Sequence, residues 1–68
     1  MNFSEGIKYI RKVAYLSQES FAKEIGVSFS TVNRWERGKP KPNYAAMKKI
    51  SAFCNANSIK VDFDEDDT

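Results

Sequence analysis

Histidine is absent from this 68-residue chain, cysteine occurs once, at Cys54, and lysine and arginine together occur eleven times. Those three facts bound its chemistry. Acid–base catalysis near neutral pH draws first on histidine, and a lone thiol without a neighbouring base is a poor nucleophile. Cys54 has no second cysteine or histidine with which to hold a zinc-type ion or close an internal disulfide. So short a chain leaves no cleft of useful size, which makes an enzyme the weakest reading, and neither metal nor cofactor is expected. What the chain offers instead is charge. Residues 1–60 hold all eleven basic side chains against four acids, Glu5, Glu19, Glu24 and Glu36, whereas the last eight residues hold five acids and no base. The net charge of +2 is therefore a near-cancellation between a basic body, suited to attracting phosphates, and an acidic tail.

The body that carries these charges must be one small domain, since a chain of this length buries only about 60% of the surface its unfolded form exposes. Without a disulfide or metal, stability has to come from helix packing, with or without self-association. An unpaired cysteine, no signal-peptide pattern and no apolar run near the roughly 20 residues of a membrane helix give the expectation of a soluble, cytoplasmic protein.

Helical periodicity runs through the body. Asn2 and Glu5 have the spacing of a capping box, and Phe3, Ile7, Ile10 and Ala14 form an apolar stripe, so a first helix is expected over 3–14. Ser17 can cap a short second helix over 18–25, with Phe21, Ala22 and Ile25 inward and Gly26 ending it in a left-handed conformation. Only Val27 separates Gly26 from the next cap, Ser28, which forces a sharp turn. The third helix, to Arg37, places Val32 and Trp35 inward and Phe29, Ser30, Asn33, Arg34 and Arg37 on other faces. Lys39-Pro40-Lys41-Pro42 reads as an extended connector. Asn43 caps a fourth helix to about residue 55, whose inner face is traced by Tyr44, Met47, Ile50, Ser51 and Cys54, with Ala46 and Phe53 flanking it. After a break at 55–58, Ile59, Val61 and Phe63 alternate with polar residues at the two-residue period of a short strand or extended arm. The acidic end is expected to be disordered.

A short helix turning sharply into another presents the second as a protruding edge, and an α-helix with its side chains fits the major groove of B-DNA. Residues 18–42 run from Gln18 through Phe21-Ala22, Ile25-Gly26-Val27-Ser28, Ser30-Thr31-Val32 and Trp35-Glu36-Arg37-Gly38 to Pro42. This stretch resembles the Cro/phage-repressor (XRE-type) helix-turn-helix family, whose pattern is Gln-x-x-apolar-Ala-x-x-apolar-Gly-Val-Ser, then Ser/Thr-x-apolar, then aromatic-Glu-x-Gly and Pro. The resemblance covers roughly residues 7–54. It implies an all-α fold, a small four- to five-helix lambda-repressor-like helix-turn-helix domain over 1–58, followed by a short C-terminal strand or arm and the acidic tail over 59–68. Tyr15 departs from the family, in which glycine or a small polar residue commonly ends helix one.

Carried over position by position, the resemblance implies that Gln18 hydrogen-bonds a DNA phosphate at a helix N-terminus. Ser28, Phe29, Ser30, Asn33 and Arg34 match the exposed positions of the family's recognition helix. Phe29 suits apolar contact with a thymine methyl, Arg34 can fork onto guanine O6 and N7, and Asn33 can read adenine. A packing or dimer contact is the alternative for Phe29, and phosphate or solvent for Asn33 and Arg34. Arg37, Lys39 and Lys41 are expected to grip phosphates, which adds affinity without sequence information. Arg11 and Glu36 stand where family members pair an arginine of helix one with a glutamate of helix three, a structural role. Trp35 is assigned to the core.

The leading expectation is a sequence-specific double-stranded DNA-binding transcriptional regulator, a repressor, acting as a homodimer on half-sites about one helical turn apart. Ile59, Val61 and Phe63 are the candidate dimer contacts, the alternative being that this segment folds back onto its own body. A second class is a protein-interaction module on the same fold, such as an antitoxin, in which the C-terminal segment binds a toxin or another regulator. The acidic tail suggests a weak competition with DNA for the basic face.

Overall fold

Each helix begins where a short polar side chain replaces a missing backbone partner. The computed structural model describes residues 1–38 and 42–63. Among them are four helices, α1 (Phe3–Val13), α2 (Gln18–Ile25), α3 (Phe29–Glu36) and α4 (Tyr44–Ala56). Asn2, Ser17, Ser28 and Asn43 are the N-caps, each accepting from a backbone N–H three residues on. At α1 the capping box is complete, with Asn2 Oδ1 accepting from Glu5 N at 2.8 Å and Glu5 Oε1 accepting from Asn2 N at 3.3 Å.

Among the described residues, three helices close with the same pair of backbone hydrogen bonds. At α2, Gly26 lies at φ 76°, and the N–H groups of Gly26 and Val27 turn back to Lys23 O and Ala22 O. This left-handed cap satisfies carbonyls that the helix leaves open. Tyr15 (φ 59°) with Leu16 closes α1 in the same pattern, and Ser58 (φ 56°) with Ile59 closes α4. The turn after helix one therefore keeps its left-handed form although tyrosine stands at the position. The Asn55–Ser58 break is likewise a cap, and it aims Ile59 inward, where it is buried.

The core lies where the four helices meet. Ile7 and Ile10 of α1, Phe21 of α2, Val32 of α3 and Ile50 of α4 are wholly or almost wholly buried. Phe21 meets Phe53 edge-on with ring centroids 5.2 Å apart, and Phe3 meets Trp35 edge-on at 5.7 Å. Such edge-to-face pairs add to area burial about 0.5–1.5 kcal/mol each. Trp35 is thus a core residue. The inner face of α4 is rotated from the expected one: Ile50, Phe53 and Cys54 are buried with Ala46 and Met47 against them, while Tyr44 is 85% exposed and Ser51 is exposed. The physical reason is that Phe53 carries more apolar surface than Tyr44 and sits opposite Phe21.

Residues 59–63 form neither helix nor strand, and they lie back on the body. Ile59 is buried among core residues, and the Phe63 ring rests on Phe3 (5.5 Å) and directly over Gly6, where a Cβ would come within 2.1 Å of the ring. The Met1 ammonium also donates to Asp62 O at 3.1 Å. Ile59 and Phe63, with Val61 half-buried, thus pack against their own body, in the manner of the fold-back alternative. Cys54 is a free, buried thiol beside this arm, and burial pushes its pKa up. No helix among the described residues is long and apolar enough to cross a membrane.

Candidate nucleic-acid interface

Because Gly26 permits the left-handed turn and Ser28 caps at once, α3 leaves α2 at a sharp corner with one face sunk in the core. Val32 and Trp35 anchor that face, and Glu36 at the helix end is buried too. The opposite face is open: Ser28, Phe29, Ser30, Arg34 and Arg37 are exposed, and Asn33 is half-buried. Phe29 keeps 51% of its surface in solvent, which for a phenylalanine at the start of a helix is apolar area left uncovered among the described residues. Ser28 differs from its neighbours. Its Oγ accepts from Thr31 N at 3.1 Å and lies 2.7 Å from Thr31 Oγ1 and 3.1 Å from Ser30 Oγ, so the hydroxyl is committed to starting the helix. The two phosphate-grip expectations at Lys39 and Lys41 lie outside the described residues.

Behind this face runs a chain of polar side chains that the sequence reading joined only at one link. Arg11 of α1 donates to Glu36 through both sides of its guanidinium, Nε to Oε2 at 2.6 Å and Nη2 to Oε1 at 2.9 Å. Its remaining Nη1 donates to Leu16 O at 3.1 Å, so one arginine holds the end of α1, the α1–α2 turn and the end of α3 together. Gln18, the first residue of α2, donates Nε2 to Glu36 Oε1 at 3.1 Å and accepts at Oε1 from Asn33 Nδ2 at 3.2 Å. Ser4 Oγ donates to Glu36 O at 3.0 Å, adding a second tie from α1. The Gln18 links were missed because they connect residues 15 and 18 positions apart, beyond the reach of any local pattern.

The electrostatics of the chain favour charge at its centre. Burial alone would raise the Glu36 carboxyl's pKa. The hydrogen bonds from Arg11 and Gln18, with the charges of Arg11 and Lys8, outweigh burial and hold it below the ordinary carboxylate range. The hydrogen bond to Glu36 likewise raises the pKa of Arg11 against its own partial burial. On the other side of the turn, Lys49 of α4 reaches Gly26 O at 3.4 Å, bracing the corner from below. The arrangement is a rigidly mounted helix presenting an arginine, an amide, a hydroxyl and an aromatic ring. These groups include hydrogen-bond donors and acceptors of the kind that can meet base edges.

Comparison with known proteins agrees with this geometry. The helix-turn-helix family matches residues 7–60. The HTH-type transcriptional activator BcrR of Enterococcus faecalis is 38% identical over 53 residues, which are 78% of this chain and 26% of that protein. An uncharacterised HTH-type transcriptional regulator of Methanocaldococcus jannaschii is 36% identical over 61 residues, 90% of this chain and 92% of that one. The type II methyltransferase M.SsoII of Shigella sonnei is 36% identical over 55 residues, 76% of this chain but only 14% of its own length. This chain thus spans a small part of the activator and the methyltransferase and nearly all of the archaeal regulator. A capped α2, a left-handed glycine corner and an α3 anchored by Val32, Trp35 and Glu36, matched along most of the chain, place this protein in the XRE-type helix-turn-helix family.

Proposed function

We propose that this chain is a sequence-specific double-stranded DNA-binding transcriptional regulator that lays α3 in the major groove. One observation carries the reading: the face of α3 bearing Phe29, Ser30, Asn33 and Arg34 is turned away from the core, while Arg11, Glu36 and Gln18 brace it from behind. Phe29 and Ser30, at the N-terminal end of α3, meet base edges first, and Arg34 follows one turn later with its fork toward guanine. Arg37 grips phosphate, with Lys39 and Lys41 in the same role. Similarity to two proteins named as HTH-type transcriptional regulators supports this assignment. The methyltransferase similarity covers a seventh of that enzyme or less and brings no catalysis with it.

Repression is the simplest outcome, since it needs only occupancy of a promoter whereas activation also needs a surface for the polymerase. The Enterococcus relative is nonetheless named an activator, so a reporter assay decides the sign. A single small module makes few contacts, and a homodimer on half-sites about one helical turn apart supplies the missing affinity. Such a regulator works in the cytoplasm, with the DNA. The protein-interaction alternative draws on the C-terminal segment, and residues 59–63 of that segment are already engaged with their own body. Selection from random duplexes tests the reading directly. The wild type enriches one motif and Arg34→Ala loses stringency at one base pair by about tenfold, the scale of one bidentate contact. Recovery of the same motif at the same stringency by Arg34→Ala removes that residue from the reading face.

A further inference from the structure

An amide side chain has a donor end and an acceptor end, and here the neighbours dictate which end faces where. Glu36 is 6% exposed and held ionised by Arg11, so its oxygens only accept. Gln18 must therefore turn its NH2 to Glu36, at 3.1 Å, and its carbonyl oxygen away. That oxygen faces Asn33, which must answer with a donor, Nδ2 at 3.2 Å. The polarity imposed by one carboxylate is thus handed across two amides, from the last residue of α3 through the first residue of α2 and back to the middle of α3.

The handover has a consequence for base selection. Asn33 has two N–H donors and one carbonyl acceptor, and one donor is committed to Gln18. One donor and one acceptor remain. Adenine presents the complement of that pair in the major groove, N7 as acceptor and the N6 amine as donor, whereas guanine presents two acceptors, N7 and O6. An unanchored asparagine can turn both of its N–H groups onto guanine. The anchored one sets its oxygen against guanine O6, acceptor against acceptor.

We propose that Glu36 and Gln18 are positioning residues for base selection, which hold the Asn33 amide in one orientation through the chain Glu36–Gln18–Asn33 and so restrict it to adenine. This rests on the reading of α3 as the DNA-reading helix, and goes beyond it by giving Gln18, whose resemblance-implied partner is a phosphate, a part in sequence choice. Loss of a phosphate contact weakens binding uniformly across sequences, whereas loss of a positioning contact relaxes one base pair.

The test is selection from random duplexes with the full chain, comparing wild type, Asn33→Ala, Gln18→Met and Gln18→Ala, with thermal melts to confirm folding. Gln18→Met keeps the side chain's length and leaves the Arg11–Glu36 pair in place. The expected result is an A·T pair whose preference vanishes in Asn33→Ala and whose discrimination against G·C falls about tenfold in both Gln18 variants, other positions being unchanged. Two results overturn the proposal: Gln18 variants that keep the A·T preference while binding every sequence more weakly, or an Asn33→Ala motif identical to that of the wild type. Failure of the wild type to enrich any motif is a different outcome, overturning the DNA-reading assignment itself and this proposal with it.

Discussion

Tyr15 does a glycine's work. Its φ of 59° is the left-handed conformation that Gly26 adopts at the equivalent place in α2, and the residue is 95% exposed, so packing returns little for the strain. An L residue in that region costs about 1–2 kcal/mol, and glycine's extra freedom when unfolded offsets about 0.5–1 of it. Tyr15→Gly should therefore stabilise the fold by up to about 1 kcal/mol, read as a rise of several degrees in Tm. Arg11 is the opposite case. Removing it leaves the Glu36 carboxylate buried with Gln18 as its side-chain donor, and Arg11→Ala should cost about 3 kcal/mol in chemical denaturation. Gln18 still donates to Glu36 in that variant, so Arg11→Ala should lower stability more than it changes which DNA sequence is selected. An unchanged denaturation midpoint would refute the structural role of Arg11.

At the level of elements, the caps were legible because they are local. Asn2, Ser17, Ser28, Asn43 and Gly26 each act within a few residues, and all five take the positions that their types and spacing indicate. What was not legible depends on partners distant in sequence. Tyr44 and Phe53 both fit an apolar stripe on α4, and only the presence of Phe21 across the core decides for Phe53. The alternation of Ile59, Val61 and Phe63 is equally compatible with a strand and with an arm, and the decision is made by Gly6, whose missing side chain leaves room for the Phe63 ring. That fit gives a prediction with a change of sign. Gly6→Ala should destabilise the wild type, because its Cβ would meet the ring at 2.1 Å and the arm must shift, yet stabilise a Phe63→Ala background by about 1 kcal/mol, alanine's advantage over glycine inside a helix. A double-mutant cycle by denaturant unfolding measures this, and additivity of the two changes would show that the ring does not sit there.

For the whole molecule, charge sets the response to the medium. A body with seven excess positive charges in residues 1–60 should bind duplex DNA with a steep salt dependence, and Arg37→Ala should shallow the slope of log K against log salt by about 0.9 for each bound chain. Acid acts on the fold through Glu36. Its folded pKa lies below the unfolded value of about 4.3, so its contribution is full above that value and disappears as the pH falls through the folded one. The stability gap between wild type and Glu36→Gln should therefore be constant from neutral pH down to about 5 and close below about 4. Equal gaps at pH 7 and pH 3 would show that Glu36 is not held as an anion. One buried group remains chemically silent in all of this. Cys54 lies in a groove whose other walls include Ile59, Val61 and Phe63, and its reactive thiolate is suppressed while it stays covered. A thiol-specific reagent in the surrounding solution should therefore react slowly with the folded chain and faster whenever the arm lifts, which makes this single sulfur a reporter, built into the chain, of that opening.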